Sequence, residues 1–131
     1  MQNDKAKFKD EFKNRVYKFA LDVIRFVDRL PVEQTSRIIS DQLLRSTTSI
    51  GANVIEAQAA SSRKDYTNFF AHALKSANEC KFWWGLLRDS RRGDKGLINS
   101  LLMGSHGDCE YPCQQYIDPE REEVNFLHFE L

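Results

Sequence analysis

His106, Cys109 and Cys113 stand as H-x2-C-x3-C, with His128 further on, and a Cys2His2 set would suit tetrahedral zinc. A metal held there would order a C-terminal tail that has no core of its own. The spacings match no common finger, the two histidines lie far apart and Pro112 interrupts the knuckle, so neither a metal nor another cofactor is expected. Cys80 could serve as a nucleophile only beside a base. His72 is eight residues upstream, about 12 Å along a helix axis, which is beyond hydrogen-bond reach. No Ser-His-Asp, paired-carboxylate or metalloprotease spacing occurs elsewhere, and the chain is expected not to be an enzyme.

Cations offer a different chemistry, because Lys and Arg that neutralise phosphates release counterions. Arg25, Arg29, Arg45, Arg63, Lys64, Arg88, Arg91 and Arg92 are the candidate nucleic-acid contacts, and Arg63-Lys64 and Arg88 with Arg91-Arg92 form the densest clusters. The competing reading is a solvated surface laced with ion pairs, since Asp22, Asp28, Glu56, Glu79 and Asp89 are interspersed. Asn53 and Glu56 fall on or beside an apolar seam, where polar groups fix helix register through hydrogen bonds across a bundle. Trp83 and Trp84 point about 100° apart on a helix, so Trp84 is assigned to the core and Trp83 to an interface.

The elements that must position these residues are helices. Phe12, Val16, Phe19, Val23, Phe26 and Leu30 alternate spacings of four and three, a heptad seam that predicts a helix from about Asp4 to Leu30, stopped by Pro31. Ile39, Leu43, Ser46, Ile50, Asn53, Ala57 and Ala60 repeat the alternation through RSTTSIGANVIEAQAASSRKDY, residues 45–66, despite its Ser, Thr and Gly. Small residues there are expected to oppose the bulky phenylalanines of the first helix or the Trp pair of the third. Phe70, Ala73, Ala77, Cys80, Trp84 and Leu87 define that third helix, capped by Ser62 or Asp65 and ending near Asp89. Rods of about 25 residues, near 38 Å each, predict an all-α, up-and-down four-helix bundle. The fourth helix opens with Leu97, Ile98, Leu101 and Leu102 and is expected to fail at GSHGD. That gives a bundle domain over residues 1–103 and an acidic, irregular or disordered tail over 104–131.

Length, charge and cysteine usage narrow the class. At 131 residues the chain suits one domain. Net charge is zero, yet residues 1–95 hold 18 basic against 12 acidic side chains (+6) and residues 96–131 hold one against seven (−6). No stretch approaches the 18 to 20 apolar residues that would span a bilayer, and the N-terminus lacks a signal-peptide core, so a cytoplasmic protein without membrane contact is expected. Three cysteines are too few for a disulfide scaffold.

FALDVI at 19–24, QLLRSTTSIGANVIEA at 42–57, SSRKDYTNFFAHALKSANE at 61–79 and FWWGLLRDS at 82–90 resemble one family, the four-helix-bundle proteins of 23S rRNA intervening sequences. The accessory variability determinant of diversity-generating retroelements is a relative of the same fold. The resemblance implies a homo-oligomer, often a pentamer, without known catalytic activity. For the retroelement relative it also implies binding to nucleic acid and to a reverse transcriptase. Members usually continue a long fourth helix past Gly104, where the seam of this chain lapses.

Overall fold

The computed structural model describes residues 2–118. Four rods pack around one core. Helix α1 spans Gln2–Asp28, α2 Gln34–Gln58 and α3 Arg63–Asp89. The fourth rod comprises α4, Lys95–Gly104, a π-helical turn, Ser105–Glu110, and α5, Tyr111–Ile117. It is shorter than the others, and its regular α-helix ends at Gly104, where it was expected to fail, but the rod goes on through the π-helical turn and α5. Residues 105–117, within the expected irregular tail, are helical, and the rest of that tail from residue 119 on lies outside the described residues.

Each boundary has a local cause. The amides of Arg29 and Leu30 bond back to Phe26 and Val27 before Pro31 ends α1. Ser62, rather than Asp65, caps α3, its Oγ accepting from the Asp65 amide at 3.1 Å. Asp94 does the same for α4, accepting from the Leu97 amide at 2.7 Å. Between α3 and α4 the turn uses two left-handed residues, Arg91 at φ 60° and Gly93 at φ 85°. Gly93 leaves no room for a side chain, since a Cβ there would lie 2.7 Å from the Phe26 ring.

Most predicted seam positions are core, but Leu30, Asn53 and Ala60 are only half-buried, and Val54 takes the core position expected for Asn53. Phe12, Val16, Phe19, Val23 and Phe26 of α1 are buried together with Leu43, Ile50 and Val54 of α2 and Phe70, Trp84 and Leu87 of α3. The fourth rod adds Ile98, Leu101, Cys109 and Cys113. Phe26 meets Trp84 edge to face, with ring centres 5.1 Å apart. At the other end Tyr116 stacks on both Phe12 and Phe70, 5.5 and 4.6 Å from their centres, and so binds α5 to both α1 and α3. Among the described residues no helix is long and apolar enough to cross a membrane.

The small residues of α2 have a different partner from the one expected. The α2–α3 interface is the most extensive in the molecule, and small side chains lie on both of its sides. Ser46 and Ala57 are buried on α2, and Ala73, Ala77 and Cys80 on α3. Ser46 Oγ is 3.1 Å from Cys80 Sγ, and Ser76 Oγ donates to Ser49 Oγ at 2.9 Å. Small therefore meets small, which lets the two backbones approach. On the α1 side the stretch does face bulk, Gly51 lying over Val16.

Candidate nucleic-acid interface

Helix ends divide the eight candidate cations into separate places. The C-terminal ends of α1 and α3 lie together, as the packing of Gly93 on Phe26 and Leu30 requires. That end of the bundle therefore gathers Arg25, Arg29, Arg88, Arg91 and Arg92. Arg63 and Lys64 start α3 at the opposite end, about 40 Å away for a helix of 27 residues. Arg45 sits midway along α2. One protomer thus presents these candidate cations at two basic poles.

Pairing reduces what those poles offer. Arg92 Nε donates to Glu33 Oε1 at 2.7 Å across the two turns, and Ser36 Oγ donates to the same oxygen at 2.9 Å. These bonds hold the Glu33 carboxyl below its ordinary range. Arg88 pairs with Asp89 at 2.9 Å, which lowers the aspartate and raises the arginine. Arg25 reaches Asp22 at 3.5 Å, and Arg45 bonds Gln42 and Glu79. By contrast Arg29, Lys64 and Arg91 are exposed and make no ion pair among the described residues. Arg63 is exposed too, its guanidinium 5.4 Å from the centre of the Tyr66 ring.

The polar seam residues behave differently from each other. Asn53 is half-buried and turns its amide onto its own helix, donating to Ser49 O at 2.8 Å and Ser49 Oγ at 3.2 Å. The bond that crosses to α3 belongs to Ser49. Glu56 is exposed.

Cys80 is fully buried between Ser46 and Thr47, and burial pushes its thiol up. His72 lies exposed on the same helix. Trp84 is fully buried and Trp83 half-buried, the latter in edge contact with the exposed Phe82 at 4.9 Å between centres. In the π-helical turn His106 faces Glu110, with Nδ1 to Oε2 at 3.4 Å. No three His, Cys, Asp or Glu side chains among the described residues are placed to hold a metal. His128 lies outside those residues. Cys109 and Cys113 are core residues, and burial raises both thiols, Cys113 to about 12.

One cluster has no counterpart in the expectations. Lys81 of α3 is buried, its Nζ 2.7 Å from Glu110 Oε2 and 2.8 Å from Oε1, with both side chains 7% exposed. His106 lies beside this pair, inside the fourth rod's contact with α3. A signal for Lys81 exists in the chain, since it lies four residues after the seam position Ala77 and one after Cys80. For Glu110 none exists without the π-helical turn that points it inward.

The bundle geometry has counterparts among known proteins. A crystal structure from Bacteroides thetaiotaomicron, described as a protein with unknown function from the S23 ribosomal protein family, is similar to this chain at 33% sequence identity and a TM-score of 0.77. The likeness covers 83% of this chain and 96% of that one. No curated protein matches in sequence. The family model described as 23S rRNA-intervening sequence protein matches residues 9–104, which takes in all three long seams and α4. The chain belongs to the 23S rRNA-intervening sequence protein family.

Proposed function

We propose that the protein is a non-enzymatic, self-associating bundle of the cytoplasm that binds nucleic acid, RNA in preference to DNA, at its two basic poles. The observation that carries this reading is that Arg29, Arg63, Lys64 and Arg91 stand exposed at helix ends with no ion pair among the described residues. Each can reach a phosphate without first breaking an internal bond. Contacts of this kind position a polyanion without reading its bases, and neither pole has an aromatic platform of the sort that reads single strands. Self-association is supported by Phe82, 44% exposed on the outer side of α3 beside Trp83. Repeating two poles around a ring multiplies a weak field. The family resemblance makes a pentamer the stoichiometry to test, and a reverse transcriptase the protein partner to try.

Anisotropy of a labelled single-stranded RNA, titrated with the protein across a salt series, tests this directly. Binding is expected to weaken as salt rises, by about 0.7 in logarithmic slope for each phosphate contacted. Arg29→Gln with Arg91→Gln, and Arg63→Gln with Lys64→Gln, should each lower that slope. Absence of salt-dependent binding at low ionic strength overturns the reading.

The pairing of Arg25, Arg45, Arg88 and Arg92 favours a second reading, an adaptor bundle that docks protein and has no affinity for nucleic acid. Mass measured across a dilution series alongside the RNA titration separates the two. A stable monomer without RNA binding defeats both.

A further inference from the structure

Where α1 ends and α2 begins, the surface folds into a pocket of about 210 Å³. Val27 and Leu30 at the end of the first rod, with Pro31 and Val32 of the turn, give it an apolar wall. Val32 is 93% exposed, an apolar side chain left in water at the rim. A second wall is polar. Its residues Glu33, Ser36, Arg37, Ser40 and Asp41 recur at steps of three and four, so they share one face of the first turns of α2. Asp28 joins them from the end of α1.

Ser40 is the residue that lacks a partner. It lines the pocket, it is only 5% exposed, and its hydroxyl makes no hydrogen bond among the described residues. Ser36, one turn earlier on the same face, is satisfied by Glu33 Oε1 at 2.9 Å. A buried hydroxyl left unpaired costs free energy, so a polar group that enters the pocket has an acceptor waiting for it.

The charge of that group follows from the lining. The negative end of α1 and the positive end of α2 meet here and oppose one another, which leaves the side chains to set the sign. Asp28, Glu33 and Asp41 stand against one guanidinium, that of Arg37. Asp28 and Asp41 are exposed and make no ion pair among the described residues, although Arg37 is four positions from Asp41 on the same helix. Arg92 and Ser36 both donate to Glu33 Oε1, which keeps that carboxylate ionised while its Oε2 takes no bond among the described residues. These acids are not grouped to hold a metal ion. The lining instead suits a cation that brings its own N–H donors and an apolar stem.

We infer that this pocket binds an aliphatic ammonium group, with Asp28 and Asp41 pairing its charge, Ser40 Oγ accepting one N–H, and Val27, Leu30 and Val32 covering its methylene stem. A free polyamine and the lysine side chain of a peptide share that chemistry. The inference is independent of nucleic-acid binding, for which Asp28, Ser40 and Asp41 are not needed.

Amide spectra of the isotope-labelled full chain test it, in titrations with spermidine and, separately, with the N-acetyl amide of lysine at constant ionic strength. The signals of Asp28, Ser40 and Asp41 are expected to move saturably, with a Kd of about 1 mM or tighter. Movement with spermidine assigns the pocket to a free polyamine, and movement with the lysine derivative alone assigns it to a peptide side chain. Asp28→Asn with Asp41→Asn should weaken binding about tenfold or more, the loss expected when hydrogen bonds to a charged group are removed. Ser40→Ala should weaken it several-fold and leave the thermal midpoint unchanged or raised, since the hydroxyl gives up no internal bond. Signals that stay still with both amines overturn the inference. So does binding that survives in the double asparagine variant, which places the amines elsewhere, and so does ammonium chloride acting as strongly as the amines, which removes any role for a stem.

Discussion

Lys81 and Glu110 form a buried ion pair, Nζ to Oε2 at 2.7 Å, that ties α3 to the π-helical turn of the fourth rod. Taking one partner away leaves a charge in an apolar interior, whereas exchanging both for apolar residues leaves none. Glu110→Ala is expected to destabilise the fold by about 3 to 5 kcal/mol. Lys81→Met with Glu110→Leu should come within about 1 kcal/mol of wild type or exceed it. Urea midpoints for the two variants decide this, and equal losses would show that the charges themselves contribute little.

The three thiols make stability depend on pH at the alkaline side. Burial raises Cys113 to about 12 from an ordinary value of 9.0, and raises Cys109 and Cys80 in the same direction. A group whose pKa is raised by folding keeps its proton in the native chain after the unfolded chain has lost it. Its contribution is therefore complete below pH 9 and is lost as pH rises from 9 toward 12. Urea midpoints should fall across that window, and Cys113→Ala should flatten the fall. Iodoacetamide at pH 8 should leave the native thiols unmodified and alkylate all three in guanidinium.

Two glycines predict opposite outcomes from the same substitution. Gly51→Ala places a Cβ at 3.7 Å from Val16 Cγ1, an ordinary contact, in the interior of a helix. It should stabilise by about 0.5 to 1 kcal/mol. Gly93→Ala combines a left-handed backbone with a Cβ 2.7 Å from the Phe26 ring, and should cost about 2 kcal/mol or more. Thermal melts of the pair check both signs.

Bulk is not tolerated where α2 and α3 meet. Cys80→Leu adds volume between Ser46 and Thr47, which approach the sulfur to 3.1 and 3.6 Å. A loss of about 1 to 3 kcal/mol is expected, against a smaller change for Cys80→Ala. Denaturant titration of the two variants separates overpacking from simple loss of the thiol.

The three long rods were legible because buried positions recur at steps of three and four from Phe12 to Leu87, shifted by one residue only where Val54 replaces Asn53 on α2. The fourth rod was legible only as far as Gly104, and its buried positions show why. Ile98, Leu101, Ser105, Cys109, Cys113 and the half-buried Tyr116 include three successive steps of four. In an α-helix each such step drifts about 40° off the face, and the wider π-helical turn absorbs the drift. Gly104, Gly107 and Pro112 read as breakers for the same reason. The cations show a second limit. Sequence gives the sign of Arg45 and Arg92 but not their partners, Glu79 and Glu33, which are 34 and 59 positions away. Likewise the small residues of α2 announced a close approach without saying which helix comes near.

The serine and alanine seam between α2 and α3 bears on how the molecule assembles. Those helices are joined by only four residues, 59–62, so bringing them together restricts little chain, and their contact is the most extensive in the fold. They are expected to form the folding nucleus, a hairpin onto which α1 and the fourth rod condense. Native-state amide exchange should be slowest around Ile50 and Ala77 and fastest in α5, so the protein opens from its C-terminal rod while the hairpin is still closed.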